Sequence, residues 1–261
     1  YSEIFFDTPF GLGVARLDEA MALRHAGIDL PVLILGYLDG EYAADVITHN
    51  IDITIIDLET ATAFDRRARQ LAAKVRVHVK IDTGMGRLGF LPDEEAADAI
   101  EKISRMQGID LAGILTHFAV ADIVDKGYTL EQVERFDQFI RVLEERGVYF
   151  PVKHAANSAA IMEVPSSHYN MVRAGITLYG LQPSPEVNHD ILPLIPAMRL
   201  KSRVAMVKYL EAGQTVSYGR TYRAAERIRI ATIPAGYADG YSRLLSNRAW
   251  ASLQGKTVPV I

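Results

Sequence analysis

Residues Val77–Phe90, VHVKIDTGMGRLGF, contain the change from strand to loop that decides the fold. Hydrophobic and polar residues alternate at the start of the stretch, as in a β-strand. The next residues, Asp82–Gly89, contain three glycines and predict a tight loop. Lys80, Asp82 and Arg87 would lie close together there, and glycine allows the backbone to approach a ligand. An ordinary turn from strand to helix is the alternative interpretation.

Short apolar runs alternate with helical patterns on both sides of this stretch. Strands are predicted at Leu12–Leu17, Val32–Gly36, Ile51–Ile56, Val75–Asp82, Leu111–His117, Val152–Ala155 and Asn170–Tyr179. Helical patterns such as Asp18–Ala26 and Asp93–Arg105 separate most of them. Repeated βα units form a parallel sheet, and this number of units favours a (β/α)8 TIM-type barrel. Tyr1–Phe10 does not match a full βα unit, so we expect the first βα unit to be missing from this chain.

The clearest helical pattern covers Thr129–Arg146. Thr129 and Gln132 have the spacing of a capping box, and Gly147 is a typical stop. An apolar stripe at helical spacing is formed by Val133, Phe136, Phe139, Ile140 and Leu143. The pattern predicts an amphipathic helix that packs on the sheet.

A proline-rich connector, Gln182–Pro196, follows the predicted barrel. Beyond it the apolar period changes to that of strands, first from Met198 to Met206 and again around Ile228 and Ile230. We therefore predict a cofactor-binding barrel domain over residues 1–190 and the start of a β-rich C-terminal domain over residues 191–261. The last residues end in the middle of a predicted strand, so we expect this second domain to be incomplete.

Composition restricts the possible functions. The chain is 49% hydrophobic and 23% charged, as in ordinary globular proteins, and its net charge of −4 argues against a nucleic-acid or anionic membrane surface. It contains no cysteine, which excludes disulfides, thiolate nucleophiles and cysteine-bound metals. No apolar run approaches the ~20 residues of a membrane span. Since Tyr1–Phe10 also lacks the pattern of a signal peptide, we expect a cytoplasmic protein, and we predict no metal site.

Polar residues follow four of the predicted strands, at the end of a β/α barrel where active sites lie. They are Arg87, His117, the pair Asn157 and Ser158, and Arg173 with Gly175 and Ile176. Hydroxyl, amide and backbone N–H groups near Gly175 can hold a phosphate without a lysine. The sequence therefore predicts a site for an anionic, phosphorylated ligand.

Each of these residues also has a structural explanation. His117 can be a satisfied buried histidine, Arg87 and Arg173 can form salt bridges, and Asn157 can cap a helix. Lys80 is harder to explain structurally, since an unpaired buried charge is costly. Gly84–Gly89 also matches G-x-G-x-x-G of dinucleotide-binding folds, but Phe90-Leu91-Pro92 intervenes before helical residues appear, which argues against that fold.

Six motifs occur in the order of one known family: VKIDTGMGRLG, LTHFAVAD, HAANSAA, NMVRAGITLYG, VSYGRTY and IPAGYADGY. Together they resemble the alanine racemase family of pyridoxal-phosphate enzymes, which have fold type III. The resemblance covers about Leu12 to Ile261. It implies a (β/α)8 barrel, a mostly β second domain, a homodimer with shared active sites, and interconversion of L- and D-alanine for cell-wall peptidoglycan.

The resemblance also implies roles for individual residues. Tyr218, supplied by the partner subunit, would be the base for L-alanine, and His117 would hydrogen-bond to it and to Arg173. Arg173 would face the pyridine nitrogen of the cofactor. Arg87 would contact the phenolic oxygen of the cofactor and the substrate carboxylate. Further residues would bind phosphate, line the entrance or carry a modification; they are Ser158, Gly175 and Ile176 with Asn157 nearby, Tyr237, and Lys80, whose family counterpart is carbamylated in some members.

One expected residue has no match. The family's second base, which also forms the aldimine with the cofactor, is a lysine on the first barrel strand, whereas the first lysine here is Lys74. A later strand with Met, Asp and a phosphate-binding tyrosine also has no match. We favour an incomplete view of a normal racemase. The alternatives are a racemase of broader or different specificity, such as a serine racemase, a non-catalytic remnant that binds pyridoxal phosphate, and a phosphate-binding barrel enzyme of unrelated chemistry.

Overall fold

The structure is a computed structural model that describes residues 9–261. The chain forms two compact units, which divide in sequence between Ala197 and Met198. The expectation for a missing βα unit at Tyr1–Phe10 lies outside the described residues, except for Pro9 and Phe10. No helix among residues 9–261 is both long enough and apolar enough to cross a bilayer.

The first unit contains a six-stranded, parallel sheet whose strands pair in chain order. The strands are β1 (Leu12–Val14), β2 (Val32–Ile34), β3 (Ile51–Ile55), β4 (Val75–Lys80), β5 (Ile109–Leu115) and β6 (Val152–His154). The helices are α1 (Leu17–His25), α2 (Ala43–Thr48), α3 (Leu58–Gln70), α4 (Glu94–Ser104), α5 (Gly127–Glu145) and α6 (Ser158–Glu163). This open sheet, which we call the half-barrel, has six of the eight strands of a (β/α)8 barrel and confirms the predicted fold class.

The two faces of β4 show how the sheet is built. Val75, Val77 and Val79 are buried among the apolar residues of the helices. The alternate residues, including His78 and Lys80, point to the opposite face. The same alternation continues in β3 and β6, so polar side chains collect on the inner face of the half-barrel, and they become the site described below.

The prediction of a seventh strand over Asn170–Tyr179 is wrong. Met171 forms only an isolated parallel bridge with His154, and Ile176–Tyr179 is a 3₁₀ turn. The amide of Arg173 still donates to Ala156 O at 2.9 Å, but Gly175 N then bonds to the Ser158 side chain instead of to a strand, and the chain leaves the sheet. Helix α2, between β2 and β3, was not predicted.

The predicted capping box of the longest helix is also wrong. Helix α5 begins two residues earlier, at Gly127, with Lys126 as its N-cap. Thr129 and Gln132 are both fully buried, and the Gln132 side chain bonds to two loops rather than to its own helix. The predicted apolar stripe of α5 is buried as expected.

The second unit contains three antiparallel strand pairs. They are β7 (Met206–Leu210) with β10 (Ile228–Thr232), β8 (Thr215–Val216) with β9 (Tyr222–Arg223), and β11 (Trp250–Leu253) with β12 (Lys256–Pro259). The prediction of a strand before Met206 is wrong, since β7 begins only at Met206. The partner of β7, β10, ends at Thr232, and Pro234, two residues later, has no amide hydrogen to continue the pairing.

Candidate active site

The loop after β4 is organised by Asp82. Its Oδ1 accepts hydrogen bonds from the amides of Gly84 and Gly86, both at 3.0 Å, and its Oδ2 accepts one from Arg87 N at 2.9 Å. Burial raises the pKa of Asp82, but the hydrogen bonds from these amides outweigh burial and lower the pKa overall, so the carboxylate stays ionised. Helix α4 begins only at Glu94, after this loop, so the structure agrees with rejecting a dinucleotide-binding fold.

The glycines of this loop serve close packing within the chain. Gly89 has φ +113°, and a Cβ there would lie 2.6 Å from the backbone oxygen of Lys80. Gly84 has φ +139°, and a Cβ there would overlap the hydroxyl of Tyr128, which donates to Gly84 O at 3.0 Å. Both positions therefore need glycine so that the loop can lie over β4 and against α5.

Arg173 forms four side-chain hydrogen bonds that join the ends of β5 and β6. Nη1 donates to His154 Nδ1 at 2.8 Å, and Nη2 donates to Thr116 O at 2.8 Å, Ala155 O at 2.9 Å and His117 Nδ1 at 3.2 Å. Burial lowers the pKa of Arg173 to about 10, so the guanidinium is still a cation at neutral pH. Its position is fixed by four acceptors from two segments of the chain, the ends of β5 and β6.

His117 is a neutral imidazole in this environment. Burial, followed by the positive charges of Arg173, Lys80 and Arg87, lowers the pKa of His117 to about 3. Its Nδ1 accepts from Arg173, so the ring proton must be on Nε2. His117 therefore presents an N–H donor on the side away from Arg173.

Lys80 is almost completely buried beside two other cations. Burial, followed by the charges of Arg173 and Arg87, lowers the pKa of Lys80 to about 7, although Asp82 opposes the shift. Among residues 9–261, no carboxylate lies within salt-bridge distance of Lys80, Arg87 or Arg173. The three cations therefore give this end of the half-barrel a positive potential that suits an anionic ligand.

The segment after β6 brings the predicted phosphate-binding residues together. Ser158 Oγ accepts from Gly175 N at 3.0 Å and from Thr177 N at 3.4 Å. In the part of the chain that the structure describes, the amide of Ile176 has no acceptor, and the Ile176 side chain is exposed. Asn157 Oδ1 accepts from Ala160 N at 3.1 Å and caps α6, which is the structural role that the sequence allowed.

The two candidate tyrosines lie in the second unit, and both are largely exposed there. Tyr218 follows Ser217, whose φ of 59° and ψ of −170° fall in a region that is almost exclusive to glycine. Gly219 and Arg220 also have positive φ values, of 75° and 52°. The Arg243 guanidinium lies 5.8 Å from the centre of the Tyr218 ring. Tyr237 begins a separate 3₁₀ turn.

Several residues that shape the site were not predicted. Gln132 Oε1 accepts from Ala119 N at 2.9 Å, and its Nε2 donates to His117 O at 3.2 Å and to Thr83 Oγ1 at 3.3 Å. One buried amide thus connects the loops after β4 and β5. His154 lies in one of the six motifs but was not predicted as a site residue, although its Nδ1 accepts a hydrogen bond from Arg173. The alternation of Arg76, His78 and Lys80 with buried valines would have indicated a polar inner face.

These features define a class of protein: a β/α-barrel protein with a cluster of cationic side chains at the carboxyl ends of its parallel strands, followed by a β-rich unit. Residues 10–183 match the family described as "Alanine racemase, N-terminal domain", and residues 197–261 match "Alanine racemase, C-terminal domain". The chain belongs to the alanine racemase family.

Individual relatives support this assignment. An alanine racemase of Clostridium perfringens is 45% identical over 250 residues, which are 96% of this chain and 65% of that protein. The solved structure of an alanine racemase from Clostridium difficile 630 has a TM-score of 0.89 and 45% identity, and covers 94% of this chain and 64% of that one. The structure of a histidine racemase from Leuconostoc mesenteroides has a TM-score of 0.80 and 31% identity, and covers 90% of this chain and 63% of that one. The chain thus spans about two thirds of the length of these relatives.

Proposed function

We propose that the protein is an alanine racemase, which interconverts L- and D-alanine with pyridoxal 5′-phosphate as cofactor. The observation that carries the proposal is the fixed Arg173 cation, held next to a neutral His117 at the strand ends of a chain that belongs to this family. An unrelated phosphate-binding barrel would not explain the match of the second unit to the same family.

The residues of the half-barrel fit the proposed cofactor. Its phosphate needs hydrogen-bond donors, which Ser158 Oγ and the amide of Ile176 can supply near Gly175, with Asn157 nearby. Its ring nitrogen needs a donor, and Arg173 is a permanent cation that would keep that nitrogen unprotonated. Arg87, which is exposed and pairs with no carboxylate in the described chain, would contact the phenolic oxygen and the substrate carboxylate. When bound, pyridoxal phosphate supplies an electron sink for the α-carbon of the amino acid.

The proton transfer is assigned to Tyr218, supplied by the partner subunit of a homodimer. Racemisation needs the α-proton to leave one face and return to the other, so a base is needed on each side. Tyr218 would take the proton of L-alanine at its phenolic oxygen. His117 would donate its Nε2–H to that oxygen and so stabilise the deprotonated form. Tyr237 would line the entrance for the substrate.

The wider role belongs to the same proposal. Supply of D-alanine for peptidoglycan, a homodimer with shared active sites, and a small amino acid as substrate all follow from the family resemblance. A cytoplasmic location and the absence of nucleic-acid and membrane partners stay predictions from the sequence.

The test is exchange of the α-proton in D₂O. The full-length protein that contains this chain is incubated with pyridoxal phosphate and L-alanine, and proton NMR and chiral chromatography follow the reaction. We expect deuterium at the α-carbon and D-alanine to appear together. Cofactor binding without exchange would overturn the proposal in favour of a non-catalytic binding protein. Exchange without D-alanine would indicate another pyridoxal-phosphate reaction.

A racemase of different specificity is the second candidate. The similarity to a histidine racemase supports it, since the fold of this family also carries that activity. The same exchange experiment with L-serine and L-histidine decides between the two. Faster exchange on either of them than on L-alanine would favour the second candidate.

A further inference from the structure

A row of four polar side chains, three of them buried, crosses the inner face of the half-barrel and ends at Arg173; we call it the hydrogen-bond chain. Asp52 Oδ2 on β3 lies 3.6 Å from His78 Nε2 on β4. His78 Nδ1 lies 2.9 Å from His154 Nε2 on β6, and His154 Nδ1 accepts from Arg173 at 2.8 Å. Asp52, His78 and His154 are 6%, 2% and 0% exposed. The mechanism proposed above uses only the last member of this chain.

The hydrogen bonds of this chain can run in only one direction. Arginine has only donors, so His154 Nδ1 must be an acceptor and His154 must carry its proton on Nε2. That proton points to His78 Nδ1, which must therefore also be an acceptor. The proton of His78 is then on Nε2 and points to Asp52, which has only acceptors when it is ionised. A permanent cation at one end and a carboxylate at the other thus fix the tautomers of both histidines.

The sheet is built to allow this chain. His78 and His154 lie on β4 and β6, which are not neighbours, because β5 runs between them. The residue of β5 paired with His78 is Gly113. A Cβ on Gly113 would overlap the His78 ring and would lie 3.0 Å from Val152 O. The missing side chain lets the two imidazoles meet across a strand.

The outer end of this row of side chains is held near the amino ends of β3, β4 and β5. Arg76 Nε donates to Asp52 Oδ1 at 3.0 Å, and Arg76 Nη1 lies 3.6 Å from Asp110 Oδ2. Burial raises the pKa of Asp52, but the neighbouring His78 and the hydrogen-bonded Arg76 together outweigh that effect and lower it. Asp52 therefore remains a carboxylate, although it lies below the protein surface.

We infer that Asp52 and His78 are positioning residues for Arg173: through His154 they hold its guanidinium in a single orientation towards the cofactor site. This inference rests on the proposed function for the meaning of that orientation, but the hydrogen-bond chain itself can be tested without activity. Neither residue touches the cofactor site, since His154 separates both of them from Arg173.

The first test uses the unsubstituted full-length protein without added cofactor. Nitrogen-15 NMR of the imidazole rings reports which nitrogen carries the proton. We expect His78 and His154 both to be neutral and protonated on Nε2 at neutral pH. A proton on Nδ1 of either ring, or a charged ring, would overturn the inference whether or not the protein is a racemase, and no variant needs to fold for this result.

The second test compares Asp52→Asn with Asp110→Asn. Both substitutions remove one carboxylate beside Arg76, but only Asp52 belongs to the hydrogen-bond chain that ends at Arg173. For Asp52→Asn we expect a mixture of His78 tautomers, because the asparagine amide can donate to His78 Nε2, together with shifted His154 signals, broadened Arg173 guanidinium signals and a kcat for alanine lowered roughly 10- to 100-fold, with KM nearly unchanged. Asp110→Asn should behave like the unsubstituted protein in all three measurements. A folded Asp52→Asn protein with unchanged His154 and Arg173 signals would assign Asp52 a merely structural role.

Discussion

His117 Nδ1 and Arg173 Nη2 lie 3.2 Å apart, and this one contact determines the state of the imidazole. The guanidinium occupies the acceptor nitrogen of His117 and repels a second proton. The same group therefore fixes both the tautomer and the charge of His117. Above the His117 pKa of about 3, the imidazole is neutral and its fixed Nε2–H is a hydrogen-bond donor as long as the protein is folded.

His117 should make the protein less stable in acid. Its pKa is about 3 in the folded state, against an ordinary value of 6.5 in the unfolded chain. Between these values the unfolded state binds more protons, so the free energy of unfolding falls as the pH falls from about 6.5 towards 3, by about 1.36 kcal/mol for each pH unit at most. Urea denaturation of the protein and of His117→Asn measures this slope. His117→Asn should show a shallower slope, and His25→Asn, at an exposed position, the original one.

Gln132→Met should loosen the loop that carries His117. The substitution keeps the length of the side chain but leaves Ala119 N and His117 O without their partner, at a cost of about 1–3 kcal/mol. Thermal unfolding and the His117 NMR signals measure the two effects. Gln138→Met, at an exposed position of the same helix, is the matched control. Equal effects of the two substitutions would show that Gln132 does not hold this loop.

Tyr218→Phe should remove exchange on L-alanine and leave cofactor binding intact. The phenolic oxygen is the proposed base, and loss of a general base lowers the rate by roughly 10²- to 10⁴-fold. Deuterium exchange and the absorbance of bound pyridoxal phosphate measure the two properties separately. Tyr209→Phe, at another exposed tyrosine of the second unit, should change neither. A parallel loss of cofactor binding in Tyr218→Phe would contradict the assignment.

Ser217→Gly should stabilise the protein while it slows catalysis. Ser217 has a φ of 59° with a ψ of −170°, which costs a non-glycine residue on the order of 1–3 kcal/mol. Glycine removes that strain but gives the Tyr218 turn more freedom. Ser246→Gly, where φ is −57°, should instead destabilise the protein, by about 0.5–1 kcal/mol. Unfolding curves and kcat of both variants test this prediction.

Lys80 should bind carbon dioxide. With a pKa of about 7 its amine is partly unprotonated at neutral pH. The amine would attack CO₂, form an N–C bond and release a proton to solvent, which leaves an anionic carbamate between Arg87 and Arg173. Carbon-13 NMR with labelled bicarbonate should show a carbamate that is absent in Lys80→Gln and present in Lys74→Gln, since Lys74 is exposed. Absence of a signal in the unsubstituted protein would contradict the prediction.

Local patterns revealed most of the barrel but less of its interior. The alternating residues of β4 and the stripe of α5 depend only on the chain itself, so both elements were predicted within a few residues. The segment around Met171 looks like a strand from its composition, yet the side chain of Arg173 and the amide of Gly175 make contacts that take it out of the sheet. Contacts with residues that are distant in the sequence cannot be predicted from the local sequence pattern.

The site shows the same division. Arg173, His117 and Ser158 follow strands, and that position was sufficient to select them. Gln132 was instead interpreted as part of a helix cap, because its distant partners Ala119 and Thr83 belong to loops that only the folded chain brings to α5. His78 and His154 lie on strands that are separated by β5, so the sequence around either residue does not predict their contact.

The gap at Gly113 links the evolutionary histories of two positions. A larger residue at 113 would fill the space that the His78 ring occupies, so neither position can vary freely while the other is kept. In relatives of this chain, we expect a side chain at the position of Gly113 to be accompanied by a small or aliphatic residue at the position of His78. Selection for stability that starts from Gly113→Ala should therefore find second-site changes at residue 78 before it finds them elsewhere.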